Sequence, residues 1–165
     1  MRGGTPEKSA EHIAAMVERG RSDVPLPHGT VTFAGEKRTL RIVAEHADVW
    51  NTGLDEIETF RNKLDVLSRH CEDVGRDPAE IRKSLTLRAI LAEDEAALRA
   101  RRRELAPKLP IDESAFLFVT PKQCVERLLP FHELGARDFL LAAYAPYDWQ
   151  SLELVAREVA PALRR

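Results

Sequence analysis

The chain has 165 residues, 44% of them apolar and 32% charged, and a formal net charge of −2. That supports one globular domain with a core of its own, falls short of the roughly 250 residues of a closed eight-stranded (β/α) barrel, and lacks the basic surface that would make nucleic acid an expected partner. No apolar run approaches the roughly 20 residues of a membrane span and the N-terminus has no signal-peptide core, so no membrane partner is expected and the expected location is cytoplasmic.

Thr5 is an expected N-cap with Pro6 at the first helical position, and Ile13, Met16 and Val17 form an apolar stripe that Gly20 closes. Val24-Pro25-Leu26-Pro27-His28-Gly29 reads as an extended connector. Residues 1–29 therefore form a helix and connector, and residues 30–165 the main domain. Val31-Thr32-Phe33-Ala34 is the first expected strand. Gly35 then lets the backbone turn into an amphipathic helix, with Leu40, Val43, Ala44 and Ala47 on one face and Lys37, Arg38, Arg41 and Glu45 on the other. The first N–H groups of such a helix are unpaired and carry the positive end of its dipole, which makes a candidate anion site. A tight structural turn accounts for the same glycine. Asp48-Val49-Trp50-Asn51 follows as a short strand suited to a parallel sheet.

From Leu54 to Val74, the apolar positions Ile57, Phe60, Leu64, Leu67, Cys71 and Val74 step by three and four, which predicts one long helix stopped by Gly75. Ser84 to Leu91 is the next strand, Glu93 to Ala106 a helix, and Pro107 to Ser114 a loop. The basic run Arg99 to Arg103 lies beside Glu93, Glu95 and Glu104 and reads as a solvated face. Pro121 to Leu134 is a helix opened by Thr120 and closed by Gly135, and Phe139 to Tyr144 is a strand apolar enough to be buried on both faces. Asp148 caps a last helix whose expected stripe is Leu152, Val155, Ala156, Val159 and Leu163, with Pro161 shortening or bending it. A shift of 115 positions lays Thr5, Pro6, Glu11, Glu18, Gly20, Asp23 and Leu26 on Thr120, Pro121, Glu126, Glu133, Gly135, Asp138 and Leu141. Convergent helix caps explain this as well as a duplicated unit does; duplication predicts a strand at Ser22 to Leu26 beside the strand at Thr32.

Cys71 and Cys124 sit among apolar residues as reduced, buried thiols, and the scattered His12, His28, His46, His70 and His132 offer no ligand spacing, so no metal is expected. Paired hydrolytic acids, a nucleophile elbow, a Walker loop and a dinucleotide fingerprint are all missing. Arg88 and Tyr144 lie on expected strands, with their faces undecided.

Four segments in order nonetheless carry a specific pattern: Gly35-Glu36-Lys37-Arg38-Thr39-Leu40-Arg41 with Ala47-Asp48 and Trp50-Asn51; His70-Cys71-Glu72-Asp73-Val74-Gly75-Arg76-Asp77-Pro78-Ala79-Glu80-Ile81; Phe116 to Pro121; and Ala156 to Arg164. From about Thr30 onward the chain resembles the C-terminal half of the luciferase-like monooxygenases, flavin- and deazaflavin-dependent oxidoreductases built on a TIM barrel. The resemblance implies an α/β fold, a half barrel of parallel β/α units completed by dimerisation. It implies FMN or deazaflavin (coenzyme F420) as cofactor and a small-molecule substrate. Ala34, Gly35 and Glu36 would then supply backbone contacts to a phosphate, and Trp50, Asn51 and Thr52 would form a strand end facing the pocket. A Trp on a short buried strand is more often core than ligand platform. Catalytic residues cannot be carried over, because the family's N-terminal half has no counterpart here. Where the family has a run of glycines this chain has Thr32-Phe33-Ala34-Gly35. That departure favours an alternative, a non-catalytic half-barrel remnant acting as a homodimeric or partner-binding module.

Overall fold

The computed structural model describes residues 30–32, 38–109, 112–142 and 147–164, with the side chains of 30–32 left aside. The expected N-terminal helix, the connector, the strand at Ser22 to Leu26, Ala34, Gly35, Glu36 and Tyr144 lie outside the described residues. The chain divides into two compact units, one reaching to Leu85 and including Ala136–Asp138, the other comprising Thr86–Gly135 and Phe139–Arg165.

The first unit is built from β1 (Thr30–Thr32), α1 (Thr39–His46), β2 (Val49–Gly53), α2 (Ile57–Val74) and the starts of β3 (Arg82–Leu87) and β6 (Ala136–Leu141). These strands order β1-β2-β3-β6 in one sheet. β1 and β2 are parallel, with Thr30 opposite Val49 and Thr32 opposite Asn51. Parallel strands need a crossover, which α1 supplies by burying Leu40, Val43 and Ala44. α2 ends as its sequence requires: Gly75 takes the left-handed conformation at φ 68°, and the N–H of Arg76 reaches back to the Cys71 carbonyl at 2.9 Å. Arg76 then donates to the Ala44 carbonyl at 3.1 Å and pairs with Glu80, while Asp77 caps the short turn Pro78–Glu80 through the N–H of Ala79. The segment Gly75 to Glu80 thus ties the end of α2 to α1.

The second unit holds β4 (Ala89–Leu91), α3 (Glu95–Leu105), β5 (Leu117–Val119), α4 (Pro121–Glu133) and α5 (Trp149–Leu154), followed by a π-helical turn Val155–Val159 and α6 (Ala160–Leu163). β4 and β5 pair in parallel. The strand expected from Ser84 to Leu91 is divided at Arg88: the Leu87 carbonyl accepts from Ala142, and the Arg88 carbonyl from Leu117. The chain thereby changes partner strand across that one peptide. The expected loop Pro107 to Ser114 contains two short turns, Ala106–Lys108 and Glu113–Ala115. α4 opens with a full capping box, Thr120 and Gln123 bonding each other's backbone N–H.

Three expectations are corrected. β6 begins at Ala136 and ends at Leu141, and it is not buried on both faces, since Leu140 is 48% exposed. The last helix buries Ser151, Leu154 and Val159, so of the expected stripe only Val159 is buried. Pro161 has no N–H to give the carbonyl four residues back, and the N–H of Ala160 instead reaches Val155, five back, which rotates the buried face. The basic run is only partly a solvated face. Arg101 binds Asp148 at 2.5 Å and also Gln150, and Arg102 binds Glu113 at 3.0 Å and lies over the Phe118 ring at 5.1 Å.

Candidate functional site

Of the expected ligand contacts, Trp50, Asn51 and Thr52 lie within β2, and Ala34, Gly35 and Glu36 lie outside the described residues. β1 and β2 run parallel, with Thr32, the last residue of β1, opposite Asn51. In (β/α) folds the connections after strand C-termini carry the ligand groups.

β2 buries Trp50, Asn51 and Thr52 in succession. The pleat alternates them, so Trp50 and Thr52 share one face and Asn51 takes the other. Trp50 packs onto α2, its ring stacked on Phe60 with centroids 5.7 Å apart and planes 4° from parallel. It is fully buried, and its indole Nε1 has no protein partner. The Thr52 hydroxyl is likewise buried without a partner. Asn51 faces the other way and donates through Nδ2 to Ser84 Oγ on β3 at 2.9 Å, both residues being buried. Toward the strand starts, Arg82 and Asp138 form a two-pronged pair, Nε to Oδ2 and Nη2 to Oδ1, each at 2.5 Å.

After β2 the chain passes Leu54, Asp55 and Glu56 into α2. Lys63 is only 5% exposed on the inner face of α2 and binds the Asp55 carboxylate. Neither Lys63, Asp55, Ser84 nor the Arg82–Asp138 pair was singled out by the sequence. A signal existed for Lys63: positions 60, 63, 67 and 71 step by three, four and four, so Lys63 lies on the stripe of Phe60, Leu67 and Cys71.

Both thiols are buried as expected. Burial pushes the Cys124 thiol up to about 11 and raises Cys71 as well, against the opposing pull of Arg76 and Lys83. Burial lowers Lys83, whose ammonium binds the Pro78 carbonyl. Among the described residues, no group of three His, Cys, Asp or Glu side chains is placed to hold a metal ion, and no helix is long and apolar enough to cross a membrane.

Buried polar groups without partners mark places where a ligand or water completes the bonding. Thr52, at the end of β2, is such a place, and Asn51 adds a polar side chain on the opposite face. The site thus offers the Thr52 hydroxyl on one face of β2 and the Asn51 side chain on the other. Among the described residues it contains no evident nucleophile or general base.

Comparison with known proteins gives one family. The family described as luciferase-like monooxygenase matches residues 1–118. No curated protein matches the chain. Among solved structures, the coenzyme F420-dependent tetrahydromethanopterin reductase of Methanopyrus kandleri is 16% identical with a TM-score of 0.62, covering 81% of this chain and 50% of its own. An F420-dependent secondary alcohol dehydrogenase is 18% identical with a TM-score of 0.62, over 88% of this chain and 50% of its own. A long-chain alkane monooxygenase is 17% identical with a TM-score of 0.61, over 81% and 40%. At such identities the likeness is one of fold, an α/β arrangement of parallel strands and helices like that of luciferase-like enzymes. The chain spans about half the length of the structures it matches.

Proposed function

The chain belongs to the luciferase-like monooxygenase family, and on that premise we propose that it serves as the C-terminal half of a cytoplasmic flavin- or deazaflavin-dependent oxidoreductase acting on a small molecule. The observation that supports the reading is the parallel pairing of β1 with β2, in which Thr32, the last residue of β1, stands opposite Asn51. Backbone N–H groups of Ala34, Gly35 and Glu36 would receive the phosphate, and either Asn51 or Thr52, which lie on opposite faces of β2, would offer the ligand a polar side chain. Trp50, stacked on Phe60, would support that strand end from behind. The isoalloxazine or deazaflavin ring supplies the redox chemistry when bound, while the protein orients it and excludes water. The rest of the barrel would come from a second chain, most simply a second copy in a homodimer. Titration with FMN and with deazaflavin, followed by fluorescence across a range of protein concentrations, tests this; no binding of either at any concentration would refute it.

A second reading is a non-catalytic half barrel that serves as a homodimeric or partner-binding module. It is favoured by large apolar side chains exposed on β6 and later in the chain: Leu140 at 48%, Tyr147 at 56% and Trp149 at 72%. Stable pairing without cofactor binding would favour this reading.

A further inference from the structure

We propose that Lys63 is a positioning residue: it holds the connection between β2 and α2, and with it the Asp55 carboxylate, in place at the mouth of the candidate site. The proposal rests on the flavin or deazaflavin reading only for the identity of the ligand.

Lysine is rarely buried, and Lys63 is 5% exposed in the layer where α2 packs Phe60, Leu67 and Cys71. A lysine stem fits an apolar layer, but its ammonium must be paired. A side chain on a helix leans toward the N-terminus, so Lys63 reaches back along α2 toward the strand end. Its ammonium binds Asp55, three residues beyond Thr52 and one before Glu56. The lysine side chain is 6% exposed and the aspartate side chain 38%, so one end of the pair is anchored in the core and the other opens toward solvent.

Stability does not account for this arrangement. A buried ion pair replaced by apolar groups of similar volume is often neutral or stabilising, and Leu or Met at position 63 would continue the stripe of Phe60, Leu67 and Cys71. Position does account for it. The carboxylate lies on the connection after a β-strand, at the end of the sheet where Thr32 and Asn51 stand side by side. A carboxylate fixed there by an internal cation can accept a hydrogen bond from a hydroxyl or N–H of a ligand. The chemistry it suits is a polyhydroxylated or ring N–H group, which both FMN and deazaflavin carry.

The test compares wild type, Lys63→Met, Lys63→Arg and Asp55→Asn by amide hydrogen exchange of residues 53–56, thermal unfolding and FMN or deazaflavin titration. Lys63→Met should exchange about tenfold faster across residues 53–56 with its unfolding midpoint unchanged or raised, and Lys63→Arg should restore much of the protection. Asp55→Asn should reproduce the faster exchange while leaving Lys63 in place. Where wild type binds a cofactor, Lys63→Met should weaken it about tenfold. Unchanged exchange in Lys63→Met would overturn the proposal, and so would faster exchange that only tracks a lowered midpoint. Equal cofactor affinity in wild type and Lys63→Met would overturn it too. If wild type binds neither cofactor, the functional reading fails, and the exchange comparison alone decides the role of Lys63.

Discussion

Whether Trp50 belongs to the core or to a ligand surface can be decided by separating its packing from its N–H. Phe60 is 1% exposed and stacked on Trp50 at 5.7 Å, so Phe60→Ala opens a cavity beneath the indole and removes the stack. Burial and cavity terms for such a change are about 3–5 kcal/mol, within which the aromatic pair accounts for about 1 kcal/mol. Trp50→Phe should behave differently. It loses part of a buried ring, a cost of about 1–2 kcal/mol, but it also removes an indole N–H buried without a partner, which relieves about 1–3 kcal/mol. The difference of the two terms runs from about 2 kcal/mol stabilising to about 1 kcal/mol destabilising. The chain has two tryptophans, and Trp149 is 72% exposed, so Trp149→Phe leaves Trp50 as the sole reporter of the first unit. In that background urea unfolding should red-shift the emission, and adding Phe60→Ala should lower the midpoint strongly. Trp50→Phe is followed by circular dichroism. A loss above about 3 kcal/mol in Trp50→Phe, or below about 1 kcal/mol in Phe60→Ala, would refute the packing argument.

Three further outcomes are expected. Burial pushes the Asp148 carboxyl up, but hydrogen bonds from Arg101 and Ser151 outweigh it and hold the group below its ordinary range. Asp148 therefore adds stability that is present above the unfolded carboxylate pKa of about 4 and is lost as pH falls through the lower folded value. Asp148→Asn should flatten the acid limb of urea midpoints plotted against pH; identical limbs would contradict this. Cys124, pushed up to about 11, and Cys71, raised in the same direction, should resist a thiol reagent at neutral pH in the native protein and react fully in denaturant. Fast native labelling would show that the burial is wrong. If two copies pair through the exposed groups on and after β6, then Leu140→Lys should lower the sedimenting mass toward that of a monomer, while Val74→Lys, at the C-terminal end of α2, should not.

The helices were largely legible because their signals are local. α2 follows from its three-and-four stripe and stops at Gly75, whose φ is 68°, and α4 starts at Thr120-Pro121, where Thr120 and Gln123 form a full capping box. What was missed depends on partners distant in sequence. Lys63 was hidden because a lysine on an apolar stripe is stable only if a carboxylate waits nearby, and Asp55 becomes that carboxylate only once β2 and α2 fold together. The break at Arg88 reflects a change of partner strand, which no local propensity encodes. β6 reads as doubly buried because its composition suits covering on both faces, which the described residues do not provide. Pro161 was flagged, but its effect falls upstream, at Val155–Val159, where the missing N–H shifts the hydrogen-bond register.

The segments that identify the family divide by what they do. Gly75 to Glu80 works for the frame, since Gly75 ends α2, Arg76 closes on the Ala44 carbonyl, and Asp77 caps the next turn. Thr120 and Pro121 start a helix. Such residues would persist in a remnant that had lost its cofactor, because losing them would cost stability. The Asn51–Ser84 pair is of another kind. An amide and a hydroxyl buried on adjoining strands spend their hydrogen bond on replacing water, and two apolar side chains of similar volume would fill the space at no loss of stability. The same holds for the unpartnered hydroxyl of Thr52. Apolar substitution of the Asn51–Ser84 pair therefore separates the two readings proposed above: a frame-only role predicts unchanged stability and no other effect, while a ligand role predicts weakened cofactor binding.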